Sequence, residues 1–165
     1  MTTKSLIKVF DVDGSEIATI YTQADGYPEG WMYTVAEFLS SRRLVNGFSE
    51  YNEINGMDDL VAQIVTLMKL KHYEVVSEYR ELKGEGIDRM IVTGGIYVMA
   101  GGISGIGEEW VYHIKPNKAY IRACRTTLSN NERSGVIIEV YKVADGNLQK
   151  VWRGTPKKYL EKYKH

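Results

Sequence analysis

The sequence predicts an α+β fold: a single domain over residues 1–165 with a mostly antiparallel sheet, two central helices and a short C-terminal helix. Three observations predict it. Alternating stretches near both ends are interrupted by Asp13-Gly14 and Asp145-Gly146, pairs that tolerate the positive φ a hairpin turn requires. Two apolar stripes at helical spacing lie between those hairpins. The rest of the chain reads as strand after strand, and strands that follow one another through tight turns pair antiparallel.

In chain order, residues 6–12 form the first strand and residues 16–22 its return. Residues 25–30 make a turn-rich loop. Met32, Val35, Ala36 and Leu39 supply the first helical stripe. Residues 44–56, with Asn46-Gly47 and Asn55-Gly56, read as an irregular connection. Asp58 and Asp59 stand where a helix N-terminus favours negative charge, and Leu60, Val61, Ile64, Leu67 and Met68 form the second stripe. Helix is expected to run into the first half of residues 73–88. Short strands are expected at 90–92 and 96–99, then a glycine-rich turn over Gly101, Gly102, Gly105 and Gly107. Residues 109–115 alternate, with Trp110, Tyr112 and Ile114 on one side and Val111 and His113 on the other. A strand is expected over 119–126, a polar loop over 129–134, and a hairpin from 136–143 and 148–153. Thr155-Pro156 opens the last helix as a cap followed by proline, and Tyr159, Leu160 and Tyr163 form its apolar side.

Composition narrows the function classes. Lys plus Arg and Asp plus Glu both number 21, so the formal net charge is zero. That argues against broad binding to duplex DNA or to an anionic membrane. Cys124 is the only cysteine, which excludes an internal disulfide and a multi-thiolate zinc site. Residues 1–5 lack the apolar run of a secretory signal, and no stretch approaches the ~20 apolar residues of a membrane helix. The expected location is the cytoplasm. Tyrosine, with 12 residues against 3 Phe, suits half-exposed sheet faces and binding surfaces.

The loop between the first hairpin and the first helix is the densest candidate site. Gly26, Pro28 and Gly30 prescribe much of its backbone, Asp25 and Glu29 supply carboxylates, and Tyr21, Tyr27 and Trp31 flank them. It enters a helix N-terminus, where unpartnered N–H donors collect. The segment 21–30 resembles a family of small uncharacterised phage and prokaryotic proteins that open with a strand ending in a Tyr-x-His-x-Asp-Gly-Tyr-Pro motif. Leu60-Val61-Ala62-Gln63-Ile64-Val65 is similar to that family's second helix. Gly94-Gly95-Ile96-Tyr97 and Gly107-Glu108-Glu109-Trp110-Val111-Tyr112 are similar to its central strands. The likeness covers residues 5–115. Gln23 stands where members often carry His, so chemistry needing an imidazole at that position is not expected. The resemblance implies a phage or prokaryotic, intracellular origin and brings no established activity.

Other candidates are weaker. Gly101 to Gly107 is no Walker loop, because Glu108-Glu109 and a strand follow instead of Lys, Ser or Thr and a helix. His72, His113 and His165 lack metal-ligand spacing, and solvated charge is the expectation for Glu108, Glu109, Asp25 and Glu29. No metal or cofactor is therefore expected. Arg122, Arg125 and Arg133, with Lys142, Lys150 and Arg153, concentrate positive charge late in the chain. With Tyr120, Tyr141 and Trp152 they suit stacking of bases and pairing of phosphates.

The leading expectation is a non-enzymatic phage or prokaryotic binding protein that sequesters a nucleotide-like host signal or a host defence protein. Its ligand-binding residues are expected to be Tyr21, Gln23, Asp25, Gly26, Tyr27, Glu29, Trp31, Tyr97, Trp110, Arg122 and Arg125. One alternative is a phosphoester-acting enzyme using Asp25, Glu29, Glu108 and His113. Another is a phage structural or assembly protein. The edge strands of such a sheet need protection, and a homodimer is one common way to provide it.

Overall fold

The computed structural model describes residues 2–47, 49–126 and 132–164. It is a single α+β fold. The expected residue His165 and part of the expected loop at 129–134 lie outside the described residues.

Strands β1 (Ser5–Phe10) and β2 (Glu16–Thr22) form the first hairpin. Helix α1 (Trp31–Ser40) follows, then β3 (Arg43–Val45) and β4 (Glu53–Asn55), a small parallel pair of its own. The long helix α2 spans Gly56–Tyr79, and α3 is one turn, Ile87–Met90. Next come β5 (Ile96–Met99), β6 (Trp110–Pro116), helix α4 (Lys118–Cys124), the hairpin β7 (Val136–Ala144) and β8 (Asn147–Gly154), and α5 (Pro156–Tyr163). The main sheet has six strands in the order β5-β2-β1-β6-β7-β8, and only the β1–β6 pair is parallel.

The expected stripes supply the buried helix faces, although Val61, Leu67, Leu160 and Tyr163 are only partly buried. Met32, Val35, Ala36 and Leu39 of α1, Leu60, Ile64 and Met68 of α2, and Tyr159 of α5 pack on Ile7, Val9, Ile20, Tyr112, Ile114, Ile138 and Val140 of the sheet. Asp145 and Gly146 both have positive φ, 52° and 77°, and make the tight two-residue turn of the β7–β8 hairpin. The β1–β2 turn is longer. Asp11 and Ser15 close it, and Asp13 accepts from the Ser15 N–H and hydroxyl.

Three expectations are corrected. Residues 119–126 are not a strand: Asn117 caps α4 by accepting from the Tyr120 N–H, and Ala119, Tyr120 and Ala123 are buried at helical spacing. Residues 90–92 are not a strand either, since Met90 ends α3. The connection at 44–56 contains β3 and β4, three residues each, too short to show a period of two.

The β5-to-β6 connection must cross β2 and β1, and it does so over the face that the helices leave open. Lys8, on that face, donates to the Ile103 carbonyl at 2.7 Å. The Glu108 carboxylate accepts from the Gly105 and Ile106 N–H groups, both at 2.8 Å. The glycine-rich segment is therefore a fastened strap over Leu6, Lys8, Thr19 and Val111, which are all buried. Beyond Val111, the same face of β6, β7 and β8 is not crossed by the strap, and Lys115, Lys150 and Arg153 are exposed on it.

Candidate functional site

The loop at residues 25–30 is held by its backbone. The Gly26 N–H donates to the Thr3 carbonyl at 2.8 Å, and the Trp31 N–H to the Asp25 carbonyl at 3.0 Å. The Tyr112 hydroxyl donates to the Gly26 carbonyl, and the Tyr159 hydroxyl to the Pro28 carbonyl, each at 2.6 Å and buried. Burial pushes both phenols well above the ordinary range, so both stay protonated donors. A Cβ on Gly30 would stand 2.0 Å from the Asp25 carbonyl oxygen, and one on Gly26 2.7 Å from the Ser5 Cβ. The glycines are required by close approach, and Asp25 itself holds φ at 56°.

The polar side chains of this loop point outward, while Pro28 is buried. Asp25, Tyr27 and Glu29 are exposed. With Trp31, Tyr33, Glu37 and Lys71 they line an open cleft of about 460 Å³. Three carboxylates face one lysine there, and the Asp25 charge raises the Tyr27 pKa. Such a cleft disfavours phosphate. Asp25 and Trp31 also border a smaller cavity of about 170 Å³ with His72 of α2 and Gly95. Burial, then Lys69, lowers the His72 pKa. Gln23 is exposed, and its N–H donates to the Gly95 carbonyl at 2.9 Å.

The remaining expected site residues divide. Tyr21 and Tyr97 are cross-strand neighbours on the open face, stacked with centroids 5.8 Å apart. Trp110 is half-buried against the core on the opposite face, with Lys142 5.6 Å from its ring centroid. Arg122 and Arg125 do not join the loop. The loop bonds to Thr3, just before β1, whereas α4 follows Pro116, beyond the Val9–Ile114 pairing near the other end of β1. A strand of that length separates the two ends by roughly 15–20 Å. Tyr120 is buried, so it is not part of a basic face.

The open face holds the arrangement that sequence reasoning missed. Antiparallel register sets His113 of β6 beside Glu139 of β7, and Glu139 beside Arg153 of β8. Glu139 is 5% exposed and meets Lys115 at 2.8 Å, Lys150 at 3.0 Å and Arg153 at 3.4 Å, while the Tyr141 hydroxyl donates to it at 3.0 Å. Burial pulls its pKa up, but the hydrogen bonds from Lys115, Lys150 and Tyr141 outweigh that and hold it at about 2. His113 is pushed down to about 4, first by burial and then by Lys115, against the attraction of Glu139. Its Nδ1 lies 3.6 Å from Glu139, too long for a hydrogen bond, and the neutral imidazole makes no ion pair near pH 7. Phe10, His113 and Tyr141 form a row, with centroids 4.8 Å and 4.5 Å apart. Its sequence signal was the alternation of aromatic and charged residues in 137–153, but without strand partners that alternation cannot be given a register.

Asp25, Glu29, Glu108 and His113 are not assembled as a catalytic set. Glu108 is spent on the strap, His113 faces Glu139, and Asp25 and Glu29 line the cleft beside α1. Among the described residues, no three His, Cys, Asp or Glu side chains are placed to hold a metal ion, and no helix is long and apolar enough to cross a membrane. Compared with known proteins, the chain matches no family model, no curated protein and no solved structure.

Proposed function

We propose that this chain is a binding protein whose ligand surface is the uncovered sheet face over β6, β7 and β8, and that the ligand is anionic and ring-bearing, of the nucleotide class. One observation carries the reading: the row Phe10, His113, Tyr141 runs beside three cations that share a single buried carboxylate. Three positive charges against one negative leave two to attract an anion, since His113 is neutral. Lys115, Lys150 and Arg153 are 41%, 47% and 59% exposed, so phosphate can reach them without unfolding anything. Partly exposed rings on central strands offer a stacking platform, the device by which open sheets bind single-stranded nucleic acid.

Sequestration rather than turnover fits the chemistry. The imidazole of His113 on this face is uncharged near pH 7 and its Nδ1 lacks a hydrogen-bond partner, so among the described residues it forms no oriented acid–base pair beside the cations. The resemblance of residues 5–115 to phage and prokaryotic proteins supports an intracellular setting. A second reading rests on the rigid loop: its exposed Asp25, Tyr27 and Glu29 suit the basic surface of a protein partner. A second copy would pair through the outer edges of β5 or β8, the terminal strands of the sheet.

Calorimetric titration with adenosine monophosphate, a cyclic dinucleotide and a short single-stranded oligonucleotide tests the proposal. Binding with recovery of intact ligand is expected. Tyr141→Ala should weaken it by ~1–3 kcal/mol, the worth of one stacked base, and Lys150→Gln should flatten its salt dependence. Absence of binding to all three probes, or unchanged affinity in both variants, rules the surface out.

A further inference from the structure

A separate cavity lies between the end of α1, the β3–β4 pair and the first turn of α5, with a volume of about 320 Å³. That is the lower end of the range for small-molecule pockets, ~300–1,000 Å³. Its floor is apolar: Leu39, Leu44, Ile54, Leu60 and Val136 are all buried. Its rim carries Arg42, Arg133 and Lys157 against one carboxylate, Glu132.

The rim is ordered for an anion. Arg42 Nη1 donates to the Phe38 carbonyl and to Ser41 Oγ, both at 3.1 Å, and the guanidinium lies 3.7 Å over the Phe38 ring. These contacts fix the plane of the group and use only one of its three nitrogens among the described residues. A planar fork held in place suits a carboxylate. Helix α5 begins here: Thr155 caps it by accepting from the Lys158 N–H, and Lys157 stands in the first turn, where the helix end is electropositive.

We propose that this cavity binds a small amphipathic carboxylate. Its apolar body rests on Leu39, Leu44, Ile54, Leu60 and Val136, and its carboxylate lies among Arg42, Arg133 and Lys157. The site is independent of the sheet face, because it draws on other elements and requires an apolar tail that a nucleotide lacks.

Methyl-detected NMR titration with octanoate, using octylamine and octanol as equal-length controls, tests it. Octanoate should shift the methyl signals of Leu39, Leu44 and Ile54, and octylamine should not. Lys157→Glu, an exposed substitution that leaves the core untouched, should weaken octanoate about tenfold or more, the scale of one charged contact. Leu44→Phe should occupy the cavity and abolish the shifts. If Leu44→Phe does not fold, Lys157→Glu still decides. Equal binding of octanoate and octylamine, no shift with octanoate, or unchanged affinity in Lys157→Glu overturns the proposal.

Discussion

The Tyr159 hydroxyl donates to the Pro28 carbonyl at 2.6 Å across 131 residues of sequence, so the last helix fastens the loop that follows the first hairpin. Tyr112 does the same for Gly26 from β6. The loop is thus a tertiary construction whose exposed carboxylates ride on a backbone clamped from two directions.

Removing either clamp leaves a buried carbonyl without its donor. Tyr159→Phe and Tyr112→Phe should each destabilise the protein by ~1–3 kcal/mol in urea unfolding. Hydrogen exchange at the Gly30 and Trp31 amides should speed up in both. Unchanged exchange there would mean that the loop holds itself.

The loop glycines should be far less replaceable than a turn glycine in open space. Gly26→Ala meets Ser5 and the Lys4 backbone, and Gly30→Ala meets the Asp25 carbonyl. Each should cost ~1–3 kcal/mol or more through overpacking. Gly14→Ala meets nothing within 4 Å, and its φ of +84° should cost only ~1–2 kcal/mol. Thermal melts of the three variants rank them.

Lys8 is 6% exposed, pairs with Glu16 at 2.8 Å and holds the strap through Ile103. Lys8→Met strands the Glu16 carboxylate and frees the strap. The expected loss is ~3–5 kcal/mol, as for other broken buried pairs. Limited proteolysis between residues 100 and 107 should quicken in this variant, whereas a variant that is destabilised without strap cleavage would separate the two roles of Lys8.

Stability should fall on acidification in two overlapping windows. His113 titrates near 6.5 unfolded but at about 4 folded, so the unfolded chain binds the extra proton between those values and stability declines as pH drops through them. Glu139 moves from 4.5 to about 2, so its contribution is complete above 4.5 and is lost as pH falls towards 2. His113→Gln should remove the upper window and leave the lower. Melting temperatures measured from pH 7 to pH 3 distinguish the two.

The local periodicities were enough to read the fold class. The α1 stripe, the α2 stripe, the Asp145-Gly146 turn and the Thr155-Pro156 helix start each depend on residues within a few positions of one another, and each is present as read. The strand expected at 119–126 failed for a local reason as well, because the capping residue Asn117 lay just outside the stretch being read.

The loop at 25–30 was legible as unusual from its glycines and proline, and its Asp25 and Glu29 are exposed. Its partners were not legible, since Tyr112 and Tyr159 lie 86 and 131 residues away in sequence and meet it only through tertiary packing. The same limit separates Arg122 and Arg125 from the loop: sequence proximity to Tyr120 and composition cannot say at which end of the sheet a helix will start. The meeting of His113, Glu139, Lys150 and Arg153 depends on register across three strands and on the irregularity in the β7–β8 pairing, and a one-residue slip of any strand would send that strand's members to the opposite face. Sequence by itself determined the elements and their apolar faces, because those follow from spacing along the chain. Strand order, register and the crossing of the strap decided which charges share a surface, because Coulomb and hydrogen-bond energies depend on distance in space and not on separation in sequence.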